Sequence, residues 1–332
     1  LLSSLGIRIV LVHGARPQIN AQLSGKQHNS VIHNDMRVTD DVTLELSKAA
    51  IGAIRLEIEN HLNTALCHPP IVNDSLGIIS GNYITAKPIG ILDGVDYQHS
   101  GKVRKIHIDL LTQVLNSNNI ALISPIGYSP TGQIYNLHYE EVASFTASEL
   151  KADKLIFIQE KVTPDLPKQI SLREISRFTN HSNTRLFAEV SHAIQNGVER
   201  AHLISMDKKG ELLLELFTRD GAGIMIENGI YDEPRIANID DIVGILELIE
   251  PLEVAGVLAK RTHEELEIDI NNFSVIERDG KIIGCVALYL IDDSHFAELA
   301  CLAIHKDYRK GKRGIELVEH ISEQAKKRNL NV

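Results

Sequence analysis

Glu298-Leu-Ala-Cys-Leu-Ala-Ile-His-Lys-Asp-Tyr-Arg-Lys-Gly-Lys-Arg-Gly314 decides the reading of the C-terminal third of the chain. Residues 297–304 are an apolar run of strand length, and residues 305–314 are a basic loop of small and charged residues. After Gly314 the apolar residues Leu317, Val318, Ile321 and Ala325 recur at helical spacing, so a helix begins where the basic loop ends. Backbone N–H groups at a helix start, with the positive end of its dipole, suit a pyrophosphate. Arg309, Lys310, Lys312 and Arg313 add positive charge around Gly311 and Gly314. A solvated basic turn is the plainer alternative. Glu298 interrupts the apolar run. A carboxylate desolvated beside a buried strand can act as a base near neutral pH, and the alternative is an acid at the exposed start of the strand. Cys301 has no paired His motif nearby and reads as a packed thiol rather than a nucleophile.

Reading outward, residues 273–277 and 282–288 form a hairpin across Arg278-Asp279-Gly280-Lys281, an Asp-Gly turn signal. Before it lie a helix over about 239–252, capped near Asn238, and a second helix from Thr262 with Glu265 placed for a capping box. The polar, Gly- and Pro-containing stretch 229–234 is the expected linker, dividing the chain into domains 1–228 and 235–332. Upstream, apolar strands at 7–12, 120–125, 154–158 and 201–204 alternate with a polar helix from about Gln18 and helices at about 42–66, 108–116, 140–152 and 185–196, with a turn signal at Asn73-Asp74. That alternation predicts a parallel α/β sheet with helices on both faces. Both ends look cut: the chain starts at Leu1 in what reads as a helix tail and stops at Val332 in what reads as a strand just starting.

Bulk properties narrow the classes. At 332 residues about two domains are expected. Thirty-four basic against 44 acidic residues leave a net charge of −10, which argues against a nucleic-acid binder. No apolar run approaches the roughly 20 residues that cross a bilayer. Three scattered cysteines make no disulfide framework, and a reducing cytoplasmic location is expected. No metal-ligand spacing stands out among the 15 histidines.

The C-terminal strand, loop and helix resemble the GCN5-related N-acetyltransferases, whose phosphate loop follows Arg/Gln-x-x-Gly-x-Gly/Ala. Arg309 matches the first position and Gly314 the last, while Lys312 stands where the family has its middle glycine. The order of two helices, hairpin, strand and loop also matches. The resemblance implies acetyl-CoA held by Arg309, Lys310, Gly311, Lys312, Arg313 and Gly314, and by the backbone of Leu302, Ala303 and Ile304. It implies Glu298 as base, Arg261 pairing with a carboxylate of L-glutamate, and Cys301 touching that substrate through its backbone.

The first 230 residues or so resemble the amino-acid kinases, specifically acetylglutamate kinase. The matching stretches are Val12-His13-Gly14-Ala15-Arg16-Pro17-Gln18-Ile19, Met36-Arg37-Val38-Thr39-Asp40, Ile123-Ser124-Pro125-Ile126-Gly127, Tyr135-Asn136-Leu137 and Leu214-Glu215-Leu216-Phe217-Thr218-Arg219-Asp220-Gly221-Ala222-Gly223. A kinase-like domain followed by such an acetyltransferase is the architecture of the bacterial N-acetylglutamate synthase family. The implied activity is acetylation of L-glutamate in arginine biosynthesis. The kinase-like part looks degenerate: no lysine occurs between Lys168 and Lys208, Glu140 replaces an organising aspartate, and His13-Gly14-Ala15 replaces a triple-glycine turn. The resemblance implies a regulatory domain that binds L-arginine through Glu215 and the Gly221 carbonyl, and a ring-shaped homo-oligomer, a hexamer. For the segment 215–221 an ordinary strand and turn is the alternative. For the whole chain the alternatives are an active acetylglutamate kinase or a non-catalytic arginine-binding module.

Overall fold

The computed structural model describes residues 6–66, 76–160, 166–179, 183–207, 210–217, 222–228, 234–278, 280–291, 296–309, 313–328 and 330. The expected helix tail before Gly6, the turn at Asn73-Asp74 and most of the 229–234 linker lie outside these residues. By density of internal contacts the chain divides into residues 1–155 with 179–201 and residues 156–178 with 202–332.

In the first unit the β-branched run expected at 7–12 forms a strand at Val10–Val12. It pairs in parallel with Ile120–Ile123, which pairs on its other side with Ile78–Ser80, also in parallel. All four residues of the central strand are buried, as its unbroken apolar sequence requires. The helix expected from about Gln18 instead spans Arg16–Gly25. Pro17 causes the earlier start, because its fixed φ and missing N–H suit a first helical turn. The helices Asp41–Leu66, Ile108–Asn116, Tyr139–Leu150 and Thr184–Gln195 fall where the periodicity placed them. A second sheet, mostly antiparallel, orders its strands Ile134–Asn136, Ile126–Tyr128, Ile84–Pro88 and Gly101–Ile106.

A further sheet has the order Lys154–Gln159, Arg200–Ser205, Ile224–Glu227, Gln169–Ser171. The C-terminal sheet is antiparallel: Arg235–Ile236, Phe273–Arg278, Lys281–Leu290, Ala297–Ile304. Period-2 alternation sends Cys285 and Ala287 into a core with Ile245, Ile249 and Leu266. Val286 and Leu288 enter the opposite core with Leu317, Ile321 and Ala325 of the final helix, Arg313–Lys327. Gly284 permits that helix's approach, since a Cβ there would lie 2.9 Å from Ile304 Cδ1 and 3.1 Å from Leu317 Cδ1. Both expected caps form. Asn238 and Asp241 bond reciprocally at the start of Ile239–Asp241, ahead of the Ile242–Val254 helix. Thr262 and Glu265 do the same before His263–Asp269.

Candidate active site

The acidic residue expected to do chemistry opens the third long strand of the C-terminal sheet. Glu298 lies opposite Tyr289 across the Lys281–Leu290 and Ala297–Ile304 pair, so the two side chains share a face. Glu298 is exposed. The desolvation expected from its apolar neighbours is absent: Glu298 stands at the exposed start of the last strand in the sheet order, the alternative that the sequence left open.

Three residues on, the strand is distorted. Cys301 has φ +53°, and the register slips: Cys285 faces Ala303, but Ala287 faces Ala300. An extra residue is thereby left out of the ladder, and the strand bends at that point. A left-handed backbone at a non-glycine residue costs on the order of 1–3 kcal/mol, so the surrounding structure enforces it. The Cys285 thiol donates to the Cys301 carbonyl at 3.5 Å. Hydrogen bonding with Cys285 holds the Cys301 thiol below its ordinary range against the effect of burial, and Arg261 adds to this. Cys285 is pushed well up by the same bond and by burial.

Arg261 follows the Ile242–Val254 helix, and its backbone N–H donates to Glu253 Oε1 at 3.0 Å. Its guanidinium lies 5.8 Å from the Phe273 ring centre and 5.4 Å from that of Tyr289, and donates to the Tyr289 hydroxyl at 3.0 Å. Two aromatic faces and one acceptor fix a planar cation while leaving donors for a carboxylate. Burial pushes Tyr289 up to about 12 despite Arg261, so its hydroxyl stays protonated. The structure thus gathers Arg261, Glu298 and Cys301 around one sheet face. Phe273, Tyr289 and Glu253, which hold Arg261, were not foreseen. The readable signal for Tyr289 was the short connection between the two strands, whose alternation aligns 289 with 298.

The phosphate-loop residues are only partly described. Lys310, Gly311 and Lys312 lie outside the described residues. Arg309 is exposed, with Nε donating to the Ile304 carbonyl at 3.1 Å. Arg313 opens the final helix, 5.4 Å from the Tyr308 ring centre, and Gly314 follows it. Upstream, Leu302 is exposed at the distortion, Ala303 is buried and Ile304 is half-buried.

Glu215 lies in a helix, Glu211–Phe217, rather than the alternative strand and turn. Its carboxylate accepts from the Ala222 and Gly223 N–H groups at 3.0 and 2.9 Å and contacts His202 Nδ1 at 2.5 Å. Burial would raise its pKa, but the His202 and backbone bonds win and hold it at about 2. Gly221 lies outside the described residues.

The turn that replaces the triple glycine packs tightly. A Cβ on Gly14 would lie 3.1 Å from the Tyr139 ring, and Ala15 is buried in the core with Ile19 and Ile51. Burial, then the charges of Arg185, Arg16 and Arg37, push His138 down to about 3. Burial, then the neighbouring Glu141, push Glu189 up to about 7. Among the described residues no group of three His, Cys, Asp or Glu side chains could hold a metal ion, and no helix is long and apolar enough to cross a membrane.

The chain is similar to known proteins over both of its parts. The Amino acid kinase family profile matches residues 1–205 and the Acetyltransferase (GNAT) family profile residues 242–332. These define an acetyltransferase domain preceded by an amino-acid-kinase domain. An amino-acid acetyltransferase of Pseudomonas putida (strain GB-1) is 43% identical over 340 residues, covering 100% of this chain and 79% of that protein. One from Azotobacter vinelandii is 44% identical over 335 residues, covering 98% of this chain and 78% of that protein. The chain belongs to the amino-acid acetyltransferase family. N-acetylglutamate synthase from Neisseria gonorrhoeae, complexed with coenzyme A and L-arginine, superposes with a TM-score of 0.75 at 32% identity, over 98% of this chain and 77% of that one. The same enzyme with coenzyme A and N-acetyl-glutamate gives 0.65 at 33% identity, over 99% and 77%.

Proposed function

We propose that this chain transfers the acetyl group of acetyl-CoA to the amino group of L-glutamate, with acetyl transfer in residues 235–332, regulation in residues 1–228 and the stretch 229–234 between them. The observation that carries the reading is the distorted strand at Cys301 with Glu298 before it and the aromatic-held Arg261 beside it. Arg261 pairs with a substrate carboxylate, and the Cys301 backbone makes a second contact. Glu298 takes a proton from the substrate ammonium, directly or through water, and solvent access lets it pass that proton on. The amine attacks the thioester carbonyl, the C–N bond forming and the C–S bond breaking. Coenzyme A leaves as thiolate and takes up the second proton released by nitrogen. Backbone N–H groups of Leu302, Ala303 and Ile304 stabilise the oxyanion. Arg309, Lys310, Gly311, Lys312, Arg313 and Gly314 hold the pyrophosphate.

In the same reading L-arginine is the effector, bound near Glu215 and Gly221. Glu215 acts there by organising the 222–223 backbone, since its own oxygens are engaged. The assembly is a cytoplasmic homo-hexamer. The kinase-like pocket is read as non-catalytic, supported by Tyr139 against Gly14 and by the missing lysine. Calorimetric titration with coenzyme A tests the reading: the parent binds, and Arg309→Ala with Arg313→Ala lowers affinity by about 100-fold, the scale of two lost charge-assisted contacts. A parent that takes up no coenzyme A, or a double variant that binds like the parent, contradicts it.

A further inference from the structure

The hairpin tip behind the coenzyme loop carries a buried ion pair that acyl transfer does not use. Arg278 ends the Phe273–Arg278 strand, and Glu227 ends the Ile224–Glu227 strand. Arg278 donates to Glu227 Oε2 at 2.7 Å, and the side chains are 4% and 3% exposed. Glu227 is fixed from its own side as well: its other carboxylate oxygen accepts from Gln169, and its carbonyl accepts from Leu172 N at 2.7 Å. The same Arg278 nitrogen lies 3.5 Å from Met225 Sδ. A charge pair so enclosed is a costly way to stabilise a fold, because desolvation offsets most of the attraction. Such a pair can instead fix a position.

What it fixes can be followed outward. The Arg278 guanidinium lies 6.0 Å from the Tyr308 ring centre, and Arg313 lies 5.4 Å from the same ring. Tyr308 closes the short turn Lys306–Tyr308, its N–H donating to the His305 carbonyl at 2.9 Å. Across the hairpin from Arg278, Lys281 Nζ stands 3.3 Å from His305 Nε2. The hairpin tip therefore grips both ends of the turn that leads into the phosphate loop.

We propose that Arg278, clamped by Glu227, is a positioning residue for the acetyl-CoA site, acting through Tyr308 on Arg313 and the start of the final helix. The proposal rests on the reading of that loop as the coenzyme site. A helix start displaced by a fraction of an ångström weakens pyrophosphate binding without touching the amine or its base. Two variants of the full chain keep the test independent of folding. Arg278→Met with Glu227→Leu replaces the pair by apolar groups, a change such sites tolerate. Tyr308→Leu removes the ring, with Tyr308→Phe as the conservative control. Steady-state kinetics on folded protein should show the acetyl-CoA KM raised about tenfold in the double variant and in Tyr308→Leu, with kcat and the glutamate KM within about twofold. Tyr308→Phe should return the acetyl-CoA KM to the parent value. An unchanged acetyl-CoA KM in either variant, or a parallel change in kcat and both KM values, overturns the proposal. A parent that shows no coenzyme A binding heat overturns the loop reading instead.

Discussion

The kinase-like pocket and the acetyltransferase face both collect carboxylates and arginines, and they treat them in opposite ways. Around Tyr139–Leu150 the charges are turned inward: His138 is driven to about 3 and Glu189 to about 7, each shifted mainly by burial. A tyrosine ring lies against the glycine of the would-be phosphate turn. At the Cys301 distortion the acid is exposed, and the arginine is held by rings and a hydroxyl that leave donors free. Buried groups driven toward their neutral forms belong to a packed interior. In the proposed function, Glu298 as base keeps a path to water, and Arg261 as the substrate's cation is oriented by neutral partners.

Substitutions sharpen the contrast. The largest effect should come from Glu298→Gln, lowering kcat at neutral pH by about 10²–10⁴-fold, the range for a general base. A loss of only a few-fold would remove Glu298 from that role. Arg261→Met should raise the glutamate KM by roughly 10–100-fold, as a charge-assisted bond is lost, while leaving the acetyl-CoA KM unchanged. Two stability changes of opposite sign come next. Glu189 is raised above its unfolded value, so the folded state binds its proton more tightly, and that stability is present at low pH and lost as pH rises through about 7. Glu189→Gln should therefore raise Tm by about 2–4 °C at pH 8 and leave it near the parent's at pH 5. Glu215 is depressed to about 2, so its contribution is present above an ordinary carboxylate pKa and is lost as pH falls toward 2. Glu215→Gln should lower Tm at pH 7, with the deficit shrinking below pH 4. Melting curves across pH check both.

Much of the fold was legible because the chain states it locally. Apolar runs of strand length gave the buried parallel strands, Gly280 the hairpin, and Thr262 with Glu265 a helix start that formed as read. The strand before the loop motif and the helix after it formed as read, at Ala297–Ile304 and Arg313–Lys327. What could not be read was long-range. Glu215, inside the Glu211–Phe217 helix, reaches the amides of 222 and 223, and its partner His202 comes from another strand. Nothing near Cys301 in sequence announces a left-handed residue, since the distortion arises from pairing with a strand 16 residues away. Tyr289 and Phe273 came to Arg261 through sheet register, and Glu227 came to Arg278 through packing. Glu298 was read as flanked by apolar neighbours, but its place at the start of the last strand in the sheet order leaves it exposed.

The central claim is that one domain performs acyl transfer and the other no phosphoryl transfer. Supplying acetyl-CoA, L-glutamate and ATP together, and following N-acetylglutamate and ADP by mass spectrometry, tests it directly. N-acetylglutamate formed without ADP is the outcome the account predicts. ADP accumulating with the acetylated product, or no acetylated product at all, would contradict it.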